Sequence, residues 1–269
     1  MSAVVSERFK WVRALTGWAV ALLLVGGWQA WTMNSRSIYF PTPLEILERI
    51  QERWFSGQVP TFLTSAFEVD VVPSLVRLGL GLLIAWAVGI LFGVLLGRVQ
   101  LIAELIEPLL HFMRALPGPV LLPLALVLVG MGTSMRVGII VFGAVWPVLF
   151  NTYSAVRQVP PGWIAAGRVA RLGRTAMLFR VILPGSGPGI MAGVRVSTAL
   201  GVILLIAAEL VASTSGIGFG LTQSQRSFQF TDMWTFIVAL SVLGYASNLL
   251  LSAVERVLLG WHQLLQAQN

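Results

Sequence analysis

The sequence predicts an all-α, polytopic membrane protein. Charged residues make up 11% of the 269-residue chain and hydrophobic residues 57%, the mean hydropathy is +0.84, and the apolar residues fall in runs near the ~20 that a bilayer-crossing helix needs. An ordinary soluble domain carries roughly 25% charged residues, so a water-soluble surface cannot be built from this composition. Inside a bilayer only helices or closed barrels satisfy every backbone polar group. These runs are too long and continuous for barrel strands of ~10 residues. One membrane domain covering 1–269 is expected.

Six apolar stretches define the expected crossings. The first runs from Ala14 to about Met33, and the others from Val72 to Gly97, Pro108 to Gly130, Val137 to Val156, Pro188 to Ala212 and Trp234 to Val254. Arg8, Lys10 and Arg13 before the first stretch also suit a signal peptide. The stretch is longer than a signal core, however, and Trp31-Thr32-Met33-Asn34 offers no small-residue cleavage pattern. A retained helix is expected.

With a cytoplasmic N-terminus, the inner side holds Arg8, Lys10, Arg13, Arg98, Arg157, Arg168, Arg171, Arg174, Arg180 and Arg256, and the outer side only Arg36, Arg49, Arg53, Arg136 and Arg226. The positive-inside rule then places both termini in the cytoplasm. Glu45, Glu48, Glu52, Glu68 and Asp70 fall in the first outer loop. The net charge of +7 is thus accounted for by loops facing anionic lipid. No long basic stretch points to nucleic acid.

Several chemistries are excluded. There is no cysteine, hence no disulfide or thiol chemistry. His111 and His262 are far apart, without partners at metal-ligand spacing, so no metal site is expected. His-Glu-x-x-His, Gly-x-Ser-x-Gly and paired intramembrane aspartates are all missing, which argues against an intramembrane enzyme.

Between the first two crossings, residues 34–71 form an outer segment opening on Tyr39-Phe40-Pro41-Thr42-Pro43. A helix starting at Thr42 or Pro43 would set Leu44, Leu47 and Ile50 opposite Glu45, Glu48, Glu52 and Arg53, the pattern of a helix lying flat on the membrane. It would serve as a surface lid or dock a partner. In the second crossing Gly89, Gly93 and Gly97 repeat at four-residue spacing beyond Gly79 and Gly81, a groove for close approach of another helix in this chain or a second one. Pro117-Gly118-Pro119 and Pro123 interrupt the third crossing. Broken membrane helices line a path or accommodate kinked packing.

Between the fourth and fifth crossings, residues 160–184 read Pro160-Pro161-Gly162-Trp163-Ile164-Ala165-Ala166-Gly167-Arg168-Val169-Ala170-Arg171-Leu172-Gly173-Arg174, continuing to Leu183-Pro184. As one helix they set Ile164, Val169, Leu172 and Ala176 near one side and the arginines elsewhere. Such a helix either lies on the inner membrane surface or, bracketed by prolines and followed by a helix restarting after Leu183-Pro184, acts as a rigid lever.

Here the chain resembles the membrane permease subunits of binding-protein-dependent ABC importers, in the nitrate, taurine and alkanesulfonate-like group. That family's signature is Glu-Ala-Ala, three residues, Gly, nine residues, then Ile-x-Leu-Pro. Aligned on Pro184, it sets Ala165, Ala166 and Gly167 on Glu-Ala-Ala and Val181 and Leu183 on Ile and Leu. Ala165 stands where Glu is usual, and Arg171 where Gly is expected, with Gly173 two residues on. Phe40-Pro41-Thr42-Pro43, Ser74-Leu75-Val76-Arg77, Arg114 to Pro119, Gly130-Met131-Gly132, Ala207-Ala208-Glu209-Leu210 and Ser215-Gly216-Ile217-Gly218-Phe219 extend the resemblance along the chain.

The resemblance implies a type I ABC importer permease-like fold, with a permease core over 72–258 and a cytoplasmic coupling helix between helices 4 and 5. Ala165, Ala166, Gly167, Arg168, Arg171, Gly173, Leu183 and Pro184 would carry coupling to the ATPase. Implied partners are a dimer of ABC ATPase subunits, a second permease copy or close homologue, a periplasmic or lipid-anchored substrate-binding protein, and membrane lipid, in a bacterial inner membrane. ATP and Mg would sit on the ATPase partner, because the chain has no P-loop.

Charges inside the crossings need partners or water. Arg77 and Glu209 lie at similar depth and would pair, as an outer gate or as a permanent bridge. Arg195, near the midplane, suits an anionic solute held in bidentate fashion, or a packing role. Pro117 and Pro119 complete the candidate path residues, while Arg114 suits snorkelling. The implied cargo is a small sulfonate-, taurine- or nitrate-like solute, or else a vitamin-like or aromatic one. An ATP-independent secondary transporter also suits broken helices and a midplane arginine, but such folds usually show internal repeats, and none is evident.

Overall fold

A computed structural model describes residues 2–35, 37–57 and 62–260. Arg36 and His262 lie outside the described residues, as do the side chains of Arg8, Lys10 and Arg13. The described chain is helical throughout: α1 (Ser2–Ser35), α2 (Pro43–Trp54), α3 (Ser65–Asp70), α4 (Val72–Arg98), α5 (Gln100–Ala115), α6 (Leu122–Val129), α7 (Thr133–Arg157), α8 (Pro161–Val169), α9 (Arg174–Met177), α10 (Leu183–Ala212), α11 (Ile217–Arg226) and α12 (Phe230–Leu258). A 3-10 turn over Gly118–Leu121 precedes α6, and a π-helical turn over Leu178–Ile182 joins α9 to α10.

Among the described residues, four helical segments are long and apolar enough to cross a membrane: Ser65–Arg98, Thr133–Arg157, Arg174–Val211 and Phe230–Leu258. The third expected crossing is not one rod. α5 and the helical segment Gly118–Val129 meet at 83°, a broken span or a re-entrant loop. Pro117 and Pro119, lacking amide donors, sit at that break. The expected first stretch, 14–33, falls within α1, where Leu22, Leu23 and Leu24 are exposed.

The chain divides into two compact units, Met1–Glu68 with Gly220–Val238, and Val69–Phe219 with Ala239–Asn269. In the first, α2 begins where expected. The Thr42 hydroxyl accepts from the Glu45 amide at 3.1 Å while the Thr42 amide donates to Glu45 Oε2 at 2.9 Å, a reciprocal cap, with Pro43 at a position that needs no donor. Ile46 and Trp54 are buried, and Trp54 meets Phe236 edge-on at 5.6 Å, whereas Leu44 and Leu47 point outward. Arg49 grips both carboxylate oxygens of buried Asp232, Nη2 donating to Oδ2 at 3.1 Å. That hydrogen bonding and charge hold the Arg49 guanidinium above its ordinary pKa range.

In the second unit, α4 lies against α7 along a stripe of small residues. Gly81, Ala85, Gly89, Gly93 and Gly97 recur every four residues, and Ile140, Val148, Thr152 and Val156 of α7 fill the notches. A Cβ on Gly81 would stand 2.5 Å from Ile140, on Gly89 2.8 Å from Val148, on Gly93 2.6 Å from Thr152 and on Gly97 2.7 Å from Val156. The groove expected from sequence is thus occupied within this chain. Gly79, off the stripe, has open space around it. On α7's other side, Gly189 and Gly193 of α10 approach Ala155 and Asn151. Leu204 of α10 fills the space where Gly118 and Gly143 lack side chains, which ties the α5–α6 break to α10.

The segment after α7 is two helices rather than the one expected. α8 ends in a double hydrogen-bonded turn, with the Leu172 amide donating to Gly167 O at 3.0 Å and the Arg171 amide to Arg168 O at 2.9 Å. This Schellman geometry puts its first residue past the cap in the left-handed region. That residue is Arg171, at φ +54°. Val169 therefore lies on no packed face and is 86% exposed. The helix restarts at Arg174, before Leu183-Pro184, and continues to Val211, so the fifth crossing begins well before Pro188.

Two stability outcomes follow from this packing. Gly93→Ala is expected to lose about 1–3 kcal/mol to overpacking while Gly79→Ala is neutral, read as thermal midpoints in lipid nanodiscs. Arg171→Gly removes the cost of a side chain in the left-handed region and is expected to stabilise by about 1 kcal/mol, raising the same midpoint.

Candidate functional site

Three constellations take up the residues singled out by sequence. The first is the segment between the fourth and fifth crossings. α8 starts with Pro161 at its first turn and turns Ile164 and Gly167 inward. Ile164, Leu172 and Leu178 pack on a small core of Val156, Val159, Met177 and Ile182. A Cβ on Gly167 would stand 2.8 Å from Met177, so a small residue there lets α8 lie close to α9. A Cβ on Gly185 would stand 3.1 Å from the Trp163 ring, which brings α8 onto the first turn of α10. The outward side carries Trp163, Ala165, Ala166, Arg168 and Val169. Arg171 and Gly173 form the turn after it, both exposed. Leu183 and Pro184 are half-buried within the continuous helix and line an apolar cavity of about 390 Å³ with Trp86, Met191 and Leu251.

The second constellation joins α4 to the turn between α10 and α11. Arg77 Nη1 donates to Glu209 Oε1 at 2.6 Å and to the Ser215 carbonyl at 2.8 Å, and Nη2 donates to the Ser215 hydroxyl at 2.7 Å. The Ser74 hydroxyl lies 2.9 and 2.8 Å from the two Glu209 oxygens and accepts from the Ile217 amide at 2.9 Å. Glu209 Oε2 accepts from the Gly218 amide at 3.0 Å. Its negative charge thereby faces the N-terminal end of α11, where the helix dipole favours it. Both charges are buried, Arg77 3% and Glu209 1% exposed, a burial that costs several kcal/mol per ion unless hydrogen bonds complete the pair. Gly216 is needed twice over. Its φ is +108°, and a Cβ there would stand 2.4 Å from Glu209 Oε1.

The third centres on Arg195 of α10, which pairs with Glu255 of α12. The Arg195 side chain is 49% exposed and the Glu255 side chain 29%. Beside it a cavity of about 300 Å³ is lined by Arg195, Thr198, Val202, Gly244 and Asn248 among others.

Pro117 and Pro119 occupy the exposed side of the α5–α6 break. Arg114 stacks over the Phe150 ring at 4.7 Å, and His111 stacks on the same ring at 5.0 Å. Among the described residues no cluster of three or more His, Cys, Asp or Glu could hold a metal.

Sequence reasoning paired Arg77 with Glu209 but missed Ser74 and Ser215. Ser74 stands three residues before Arg77, so a shared helix face was the available signal. It ended the sixth crossing at Val254, one residue short of Glu255. It also counted Arg136 and Asp70 among outer loop charges, yet both are buried. α7 begins at Thr133 rather than 137, which draws Arg136 into the helix. Arg136 has partners and lies within electrostatic reach of Arg77 and Glu209.

Residues 89–259 match the family of binding-protein-dependent transport system inner membrane components. A probable ABC transporter permease protein of Brucella abortus (strain 2308) is 30% identical over 253 residues, 93% of this chain and 98% of that protein. The taurine transport system permease protein of Escherichia coli (strain K12) is 29% identical over 265 residues, 96% of this chain and 95% of that one. Among solved structures, a chain of the MetNI methionine ABC transporter in an inward-facing conformation shares the fold with a TM-score of 0.62, at 20% identity, over 70% of this chain and 94% of its own. A sharply bent third apolar segment, a short exposed helix between the two long helices that follow it, and similarity along nearly its whole length agree: this chain belongs to the binding-protein-dependent transport family, as a membrane-spanning permease subunit of an ABC importer.

Proposed function

We propose that the chain forms half of the translocation path of an ATP-driven importer, facing a second copy or a close homologue. A dimer of ATPase subunits, which carries ATP and Mg, docks on the outward side of α8. A periplasmic or lipid-anchored binding protein delivers the solute at the opposite membrane face, and both termini are cytoplasmic. The carrying observation is the outward side of α8, where Ala165 and Ala166 leave room for close approach beside exposed Trp163 and Val169. A short helix that keeps Ile164 on its own core while presenting other apolar residues outward is suited to a partner's cleft. Arg168 and Arg171 add positive charge to that surface, and Gly167, Gly173, Leu183 and Pro184 set its position. The cargo is a small charged solute of the sulfonate, taurine or nitrate class. The similarity to a taurine permease and the intramembrane Arg195 support this class.

For the Arg77–Glu209 network, a fixed bracket is the better reading than a gate. Opening it would strip Glu209 of its partners on Arg77, Ser74 and Gly218 in a buried site in every cycle. Pro117 and Pro119 are read as path residues at the break.

The docking reading is checked with Val169→Asp in the assembled complex. The thermal midpoint of the chain is expected to stay unchanged, because Val169 is exposed, while ATP-driven uptake in proteoliposomes falls at least tenfold; unchanged uptake would refute docking at α8. The bracket reading is checked with Glu209→Gln. It is expected to lower stability by about 3 kcal/mol by leaving a buried charge unpaired, with ATP consumed per solute imported unchanged in the complex that does assemble. ATP turnover freed from its dependence on the binding protein would instead mark a gate.

A further inference from the structure

α12 carries a polar stripe. Ser241, Tyr245, Asn248, Ser252 and Glu255 follow one another at spacings of four, three, four and three, which sets them on one helix face. Tyr245 is 69% exposed, and Ser241 and Asn248 are exposed too. A polar stripe in a membrane-crossing helix is costly against lipid and marks a face toward water or a solute. On the neighbouring α10, Arg195 meets the inner end of this stripe at Glu255. The 300 Å³ cavity lies alongside, walled by Thr198, Val202, Gly244 and Asn248, within the size of a small-molecule site.

We propose that this cavity, with Arg195 on its wall and Glu255, the partner of Arg195, one turn beyond the lining residue Leu251, is a solute site selective for zwitterions, molecules with a sulfonate or carboxylate at one end and an ammonium at the other. The proposal rests on the reading of the chain as half of a path and deepens it. Arg195 and Glu255 neutralise each other, so a lone anion entering must either compete with Glu255 for the guanidinium or leave the site with an excess negative charge in a low-dielectric surrounding. A zwitterion exchanges one internal pair for two new ones, guanidinium to sulfonate and carboxylate to ammonium, with no net charge change. Both side chains of the pair are partly exposed, so the exchange proceeds without burying an unpaired ion. Asn248, about two turns along the stripe from Glu255, adds an amide that can donate to the anionic end.

The test uses the chain in complex with its co-purified ATPase partner in nanodiscs. Binding of radiolabelled taurine is competed by isethionate, which has a hydroxyl in place of the ammonium, and by nitrate. In the wild type, isethionate and nitrate are expected to compete at least tenfold more weakly than unlabelled taurine. Glu255→Gln is expected to bring taurine and isethionate within about threefold of each other, and Arg195→Gln to weaken both at least tenfold. Equal competition by isethionate in the wild type, a Glu255→Gln variant that keeps the full preference, or no binding of taurine at all would each overturn the proposal. Should Glu255→Gln not assemble, β-alanine against propionate on the wild type decides it, and equal competition by propionate overturns it. Since the complex is isolated through its ATPase, failure here leaves the docking reading at α8 untouched.

Discussion

The close approach of α4 and α7 sets the frame in which the permease core is arranged. Five small residues on α4, from Gly81 to Gly97, give α7 a groove in which Ile140, Val148, Thr152 and Val156 seat themselves. Between apolar helices in lipid no hydrophobic drive operates, so this van der Waals fit must hold them. α7 in turn meets α10 through Gly189 and Gly193, making it the middle of a three-helix layer. Because α8 leaves directly from the end of α7, the register of that groove also fixes where the short exposed helix stands.

At the other end of α4 the linkage is electrostatic. The Arg77–Glu209 pair, with Ser74, Ser215 and the amides of Ile217 and Gly218, joins α4, α10 and the start of α11. The two linkages differ in tolerance. A groove of glycines fails by degrees as atoms are added, whereas a buried ion pair fails all at once when one charge is removed.

Much of this was legible in the sequence, for reasons that can be named. The glycine stripe was visible because small residues at four-residue spacing share a face. Its partner was not, since Ile140, Val148 and Val156 look like any apolar residues of a crossing. Arg77 and Glu209 stood out because isolated charges inside a membrane demand partners, and similar depth suggested each other. Arg136 was misplaced because the start of a membrane helix is blurred by polar residues such as Thr133 and Ser134. The division of the 160–184 segment was hidden because an arginine takes up a left-handed position that glycine usually marks. In the family signature glycine is expected there, so the departure at Arg171 was visible, but not that the turn survives it.

The helix from Arg174 to Val211 runs unbroken from the turn after α8 to the Glu209 bracket. At 1.5 Å per residue its length is roughly 57 Å. A rotation of about 5° at one end therefore displaces the other by about 5 Å, close to one helical pitch. No loop intervenes to absorb such a movement. Its softer points are the π-helical turn at Leu178–Ile182 and the prolines at 184 and 188, all gathered in the half nearer α8. The stiffness of the rod is thus graded, compliant where a partner would push and firm where it meets the buried charges.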